Sequence, residues 1–460
     1  MRVSIPIVLL LASLSGSCAP RLTPTPSSAP PPSLPAADAP ILTQPPADVP
    51  PPPPPSSTPL VLEREPEFDI GLAIDQDSVR LEPAGSVTLR WRAPGGGETS
   101  ARTAAAIGIR ASGAQILVTP LDHSRAVPLA VLEGSDTLWV GEPADARGGT
   151  TMGWNGKRWR GRFKVFLSPR GKLTVATRVG LETYLLGVVP AEIGALSDSL
   201  VEAGRAQAIA ARSYSLFYRG RRAAEGFDLH SSVEDQVYGH VGFERPLATR
   251  CVESTRAEVA LSGGQPIRAN YSSTCGGISA EAWEAWPTEP RDYLRSRRDV
   301  GVGLGDQCRS SSHHRWREEW SASEFAANLA RYGAEQGVRL PPKGVGEVLD
   351  VRVDSRSRSG RVWRLTVTTS TGVIVVHAHR LRQVLRRGGN ASAILRSTLI
   401  KLDTKRDRLG RVVGVVVSGA GNGHGVGLCQ TGALAMARGG AAGEAILEHY
   451  YAGVLIQAMY

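Results

Sequence analysis

One carboxylate stands apart in VVPAE, residues 188–192. An apolar run from Tyr184 to Val189 leads into it, Pro190 interrupts the run, and Glu192 follows. The pattern reads as a strand giving way to a helix, with Glu192 at the junction. Val188, Val189, Pro190, Ala191 and Ile193 surround it with apolar surface. Such a setting penalises the charged form and lifts a glutamic acid above its usual value of about 4.3. A carboxyl that keeps its proton near neutrality is a general acid. Taken alone, the same residue reads more readily as a cap for the following helix or as the partner of an arginine.

Three further stretches carry residue types that do chemistry. They are DQVYGH at 235–240, YSSTCGG at 271–277 and GNGHGVGLCQTGA at 421–433. In the last, glycines at 421, 423, 425 and 427 permit unusual dihedrals and let backbone N–H groups approach a ligand. It is not a phosphate loop, because no Lys-Ser/Thr pair follows. His424 lies between two of these glycines, which favours an exposed imidazole. Five cysteines occur, and none pair at the spacing of a zinc knuckle. With Cys18 set aside, Cys251, Cys275, Cys308 and Cys429 allow three pairings, and spacing does not choose among them.

The elements that must position these residues are mixed. From Phe68 to about Val179, short β-prone runs such as SVTLRWRA, QILVTPL, RFKVFLS and KLTVATRV alternate with Gly-rich turns, as in antiparallel sheet. Residues 198–219 form the clearest helix. Ser197, Asp198 or Ser199 can cap it, Glu202 completes a capping box, and its many alanines let another backbone come close. Arg205 and Arg212 share one side of it, and burying Arg212 without a partner would be costly. Further strands are expected at 257–262, 266–274, 346–353, 362–369, 372–378 and 411–417. Helices are expected at 323–332, 380–385, 430–438 and 443–451. Without a regular βαβ alternation, the fold class is α+β: an antiparallel β-rich N-terminal part, then a mixed region carrying the long Ala-rich helix.

The N-terminus reads as an export signal. One arginine precedes an apolar stretch from Val3 to Leu14, and small residues lead to Cys18. Cys18 fits lipidation, although Ser15 stands where a leucine usually sits. Residues 19–60 are rich in Pro, Ser and Ala and read as an extended tether without a core. Ala19 after the cysteine points to the outer membrane, hence to a periplasmic lipoprotein. The net charge of +10 is scattered rather than patched, and no aromatic–basic interleaving suggests nucleic acid. No later run is long enough to cross a membrane as a helix.

Residues 184–216 together with DQVYGH, SSTCGG and GHGVGLCQTGALAMA resemble the stage II sporulation protein D / LytB (SpoIID-like) family. The motifs occur in the family order, with weaker likeness in WRGRFKVF and LEHYYAGV. The resemblance divides the chain into a signal at 1–18, a tether at 19–60, a β-rich region at 61–150 and a SpoIID-like catalytic region at 151–460. A subdomain is inserted at about 284–400. It implies a peptidoglycan lytic transglycosylase with Glu192 as acid and base, releasing anhydromuramyl products from glycan strands, with a preference for strands stripped of stem peptides. It further implies a substrate cleft formed by Gln207, Arg212, Tyr214, Gln236, Ser273, Thr274, His424 and Gln430. The implied partners are glycan strands, a membrane reached through a lipid anchor, and a cell-wall amidase.

A single glutamate is chemically sufficient, because the C6 hydroxyl of muramic acid closes on C1 and no water need be activated; an ordinary glycosidase needs two carboxylates. Some family members bind metal through a cysteine pair near DQVY. Here His230, Asp235 and His240 could supply ligands but no thiolate, so neither metal nor cofactor is expected. Cys275 and Cys308 are expected to form a disulfide, with Cys251 and Cys429 a second pair or buried thiols. Two other readings compete: a noncatalytic glycan-binding amidase enhancer, and a metal-dependent amidase or peptidase.

Overall fold

A computed structural model describes residues 39–42, 44, 60, 62–93, 96–122, 128–142, 151–301 and 305–460. Cys18 and almost all of the Pro-rich segment lie outside the described residues. The fold is mixed α/β with 24% helix and 39% strand, and most of the sheet is antiparallel.

Alternating apolar residues build the first half. A seven-stranded sheet runs in the order 229–230, 67–76, 173–180, 162–167, 138–140, 87–92 and 98–103. A six-stranded sheet runs in the order 157–160, 151–154, 78–83, 107–112, 115–120 and 130–133. Period-two alternation puts Leu81, Ile107 and Ile109 from one sheet and Phe68, Ile70, Leu89 and Phe163 from the other into one shared core.

The strand Leu173–Gly180 runs directly into helix α1 (Leu181–Ile193). The run that reads as a strand from Tyr184 to Val189 is therefore helical. It is buried all round, so it shows no amphipathic period, and a short apolar run without period does not separate strand from helix. Pro190 lies inside α1, in its last turns. A 3-10 turn at Asp198–Leu200 leads to α2 (Val201–Phe217), the Ala-rich helix. Neither Ser197 nor Leu200 gives it a side-chain cap. Glu202, expected in a capping box, instead accepts from the Gly443 backbone N–H at 2.7 Å.

Around α2 gather α3 (Pro246–Ser254), α7 (Gln430–Arg438) and α8 (Gly443–Tyr450); the short α4 (Ala282–Ala285) lies between α3 and α7 in the chain. A second hydrophobic core runs from Trp320 to Val417. It joins a meander of strands 348–356, 362–369 and 372–377 to a sheet ordered 316–321, 412–419, 400–406. Helices α5 (Ala322–Glu335) and α6 (Ala378–Val384) cover it. Ser321 and Glu324 form the capping box of α5.

Two short parallel strands, Tyr271–Ser272 and Leu428–Cys429, bring the YSSTCGG and Gly-rich segments side by side. Of the expected strand 266–274, Pro266 pairs with Leu261, and 267–270 are irregular. Tight backbone bonds from Ala269 N–H to Ile267 O and from Asn270 N–H to Arg268 O, both 2.8 Å, bend the chain there.

Candidate active site

A cleft of about 840 Å³ opens where the separated motifs meet, and Glu192 lies on its wall. The end of α1 presents Glu192, and the DQVYGH segment holds it: the Val237 N–H donates to Oε1 at 2.7 Å. Gln430 Nε2, at the first position of α7, reaches Oε2 at 3.5 Å. Both donors are neutral. Desolvation outweighs them and pushes the Glu192 carboxyl up to about 7. With Oε1 taking the short bond from a backbone N–H, Oε2, held only by the longer Gln430 contact, is the oxygen better able to carry the proton.

Among the described residues, the other carboxylates along this cleft are engaged elsewhere. Asp235 accepts from Arg221 at 2.9 Å and from Arg222 at 3.0 Å. Glu234 takes Arg222 at 3.0 Å. Glu289 pairs with Arg291 and accepts from Thr288. Glu284 accepts from the hydroxyls of Ser357 and Ser359. Glu192 and Glu284 are thus held by uncharged donors, but Glu284 is spent on two hydroxyls and the Glu281 N–H, while Glu192 keeps one short backbone bond and one long amide contact.

The residues expected to line the cleft divide into two groups. Tyr214, Ser273, His424 and Gln430 do line it. Gln207, Arg212, Gln236 and Thr274 lie behind the wall. Gln207 is fully buried and accepts from Gln430 Nε2 at 3.4 Å, so it backs the residue that touches Glu192. Arg212 is fully buried against Glu182, at 2.9 Å from Nε and 2.7 Å from Nη2. Burial alone would raise Glu182, but the guanidinium outweighs it and holds the carboxyl below its usual range. This ion pair ties α1 to α2, and Arg212 is a scaffold residue.

Gln236 is likewise fully buried. Its Oε1 accepts from Ser215 at 2.8 Å and Tyr184 at 3.4 Å, and its Nε2 donates to Tyr271 at 3.0 Å and Ala211 O at 3.2 Å. All four of its hydrogen-bonding positions are filled, which fixes the neighbouring Val237 N–H that holds Glu192. Thr274 bonds Ser311 at 2.9 Å and Thr431 at 3.2 Å. The same strap grips α1 at Gly187, where the Gly239 N–H donates to Gly187 O at 3.1 Å. A Cβ at Gly187 would collide with the Tyr238 ring.

The four glycines of the last motif all adopt positive φ, +83°, +113°, +78° and +68°. His424, however, is not an exposed imidazole. Its ring packs on Trp286 with centroids 4.7 Å apart, and Nδ1 accepts from the Val426 N–H at 3.0 Å. Burial, then the Arg382 and Arg268 guanidiniums, push it down to about 3. It is a neutral wall residue, not a proton carrier.

Sequence reasoning missed part of the cleft. Arg268 lies between the rings of Trp286 and Tyr218, at 4.8 Å and 5.7 Å from their centroids. Arg382 enters from α6. No spacing singles these out, since they come from an irregular bend, a loop and the second core.

The expected disulfide is absent. Cys275 and Cys308 are free thiols with sulfurs 3.7 Å apart, and Cys429 joins them through a 3.2 Å contact from the Cys275 N–H to its sulfur. Cys251 is not its partner; it lies on α3, donating to Val201 O at 3.4 Å. Asp235 and His240, considered as metal ligands with His230, are occupied otherwise: Asp235 by arginines, and His240 Nδ1 by the Gly242 N–H at 3.1 Å.

Residues 169–261, which include α1, α2 and DQVYGH, match a family model described as Stage II sporulation protein. That stretch of the chain is SpoIID-like. Residues 304–427, which include most of the second core, match a domain of unknown function, DUF8618. The stage II sporulation protein D of Bacillus subtilis is 27% identical over 358 residues, 74% of this chain and 90% of that protein. The amidase enhancer of the same organism is 28% identical over 304 residues, 59% of this chain but 40% of its own length. An uncharacterized protein of Brachyspira hyodysenteriae is 26% identical over 307 residues, 65% and 72% of the two chains.

Proposed function

We propose that this SpoIID-like protein is a peptidoglycan lytic transglycosylase with Glu192 as its acid and base. The observation that carries the reading is Glu192 itself: a carboxyl on the cleft wall, pushed up to about 7 by burial, and held by a backbone N–H and an amide rather than by a cation. In the proposed reaction, Oε2–H gives its proton to the glycosidic oxygen as the bond from that oxygen to C1 of the muramic acid breaks. The C6 hydroxyl of the same sugar then bonds to C1, and its proton passes to the Glu192 carboxylate. The acid is regenerated and no water is consumed. Among the described residues, the other cleft carboxylates are tied to arginines and hydroxyls and leave no second group placed to activate water in the manner of an ordinary glycosidase.

The cleft also suits strands without stem peptides. Removing the peptide uncovers the lactyl carboxylate of muramic acid, and Arg268 and Arg382 offer cations at the cleft wall. Trp286 and Tyr218 offer flat faces for sugar rings.

The test is product analysis on purified glycan strands stripped by an amidase. The wild-type chain is expected to release anhydromuramyl fragments. Glu192→Gln is expected to keep its fold and lose rate on the order of 10³-fold, within the range of a general acid. Undiminished release by the variant would end the proposal.

The amidase enhancer relative favours a second reading, in which the same cleft binds glycan without cutting it and stimulates a separate amidase. That reading expects strand binding, no anhydromuramyl products from either form, and equal stimulation by wild type and Glu192→Gln.

A further inference from the structure

A second constellation lies outside the cleft and has no part in the proposed reaction. Cys275, Asp299, Cys308 and Cys429 converge from separate segments, and one ligand atom from each lies within 4.8 Å of all the others. All four residues are 0% exposed. The Cys275 and Cys308 sulfurs are 3.7 Å apart. Zinc–sulfur bonds of about 2.3 Å at tetrahedral angles separate two sulfurs by about 3.8 Å, which matches that spacing. Asp299 Oδ2 lies 3.0 Å from the Cys275 sulfur, so it is already turned toward the same point.

The surroundings are those of a ligand set. The other carboxylate oxygen of Asp299 accepts from Tyr450 at 3.0 Å and contacts His449 Nε2 at 3.1 Å, which leaves Oδ2 to face the sulfurs. Backbone N–H groups point at sulfur: Gly277 to Cys275 and Gly432 to Cys429, each at 3.4 Å, besides Cys275 to Cys429. Such donors favour negative charge on sulfur. Arg361 is fully buried nearby and donates to Cys275 O at 2.9 Å, while its Nε and Nη1 have no hydrogen-bond partner among the described residues. A buried cation with idle donors calls for negative charge beside it. A disulfide between two of the sulfurs would leave the third thiol and the carboxylate unexplained.

We infer that Cys275, Asp299, Cys308 and Cys429 bind a zinc ion in a closed tetrahedral site. Three thiolates select a soft or borderline ion over magnesium or calcium, and four protein ligands without an open position mark a structural role. The ion would join three stretches of chain: the end of YSSTCGG, the 299–308 segment and the start of α7. Cys429 immediately precedes Gln430, so the site would fix the residue whose amide touches Glu192.

The test is metal content, which needs no glycan and does not depend on the role of Glu192. The full chain, purified in reductant and saturated with zinc, is expected to hold one zinc per chain by mass spectrometry. Replacement by cobalt is expected to give sulfur-to-metal charge-transfer bands and the strong visible bands of a tetrahedral ion. Tyr450→Phe, which keeps all four ligands, is expected to weaken zinc about tenfold in a chelator competition. Cys429→Ser is expected to lose the ion, whereas His240→Ala and Glu192→Gln keep it. A wild-type chain that takes up neither ion, or whose intact mass and peptide map report a Cys275–Cys308 disulfide, would overturn the site even if the cysteine variant fails to fold.

Discussion

Glu192 gives pH two readouts at the scale of one residue. The proposed reaction uses the protonated form, so its rate should fall about tenfold per pH unit once pH exceeds about 7. Stability gives an independent check. The folded group titrates near 7, against about 4.5 in the unfolded chain. Between those values the native state keeps a proton that the unfolded state has lost, so the unfolding free energy falls as pH rises. The loss is complete above about pH 7 and amounts to about 3 kcal/mol. Glu192→Gln cannot titrate. Its stability relative to wild type should rise by about that amount from pH 4.5 to 7.5, measured by urea denaturation at each pH. Parallel curves for the two proteins would mean that the carboxyl is not perturbed by burial. The residue stood out among the apolar neighbours of VVPAE, but only the family resemblance turned it from a cap or arginine partner into an acid, and its grip was not legible. The Val237 N–H is a backbone donor, and no side-chain type announces it.

At the scale of elements, α1 and α2 are clamped by Arg212 and Glu182. Truncating one partner of a fully buried pair leaves the other charge uncompensated, at a cost of about 3–5 kcal/mol. Arg212→Ala should therefore lower the denaturation midpoint strongly, while the KM of the fraction that remains folded changes little. A large KM rise with unchanged stability would return Arg212 to the substrate. The sequence marks the arginine as expensive to bury, yet its partner lies thirty positions earlier in a run whose helical character the sequence hides. Elements with a solvent face were legible. Helix α7 falls on the expected 430–438, and α5 carries its cap at Ser321. Elements buried all round, or bent, were not. Helix α1 has no period, and the 267–270 stretch has strand-like residues but no partner strand. Asp299 belongs to no motif at all, since only the fold carries it to the three sulfurs.

At the scale of the whole molecule, the cleft is closed by residues from the second core. Helix α6 contributes His379 and Arg382 to its wall. Arg382 donates from Nε to Leu395 O at 2.9 Å, and burial with the neighbouring Arg387 and Arg361 guanidiniums pushes it down to about 10. Arg268, in the same cleft, donates to the neutral oxygens of Asn270 and Thr288. Cations crowded by other cations and served by neutral acceptors gain most from an arriving anion. The lactyl carboxylate of a peptide-stripped strand is such an anion, whereas in an intact strand that carboxyl is spent in an amide. A hydrogen bond to a charged group contributes about 1.5–3 kcal/mol, or roughly tenfold to a hundredfold. Arg382→Gln should raise the KM for stripped strands by about that factor, with kcat little changed and a shallower dependence on salt. Its effect on peptide-bearing strands should be small. Equal losses on both substrates would show that Arg382 shapes the cleft wall without reading the charge of the glycan.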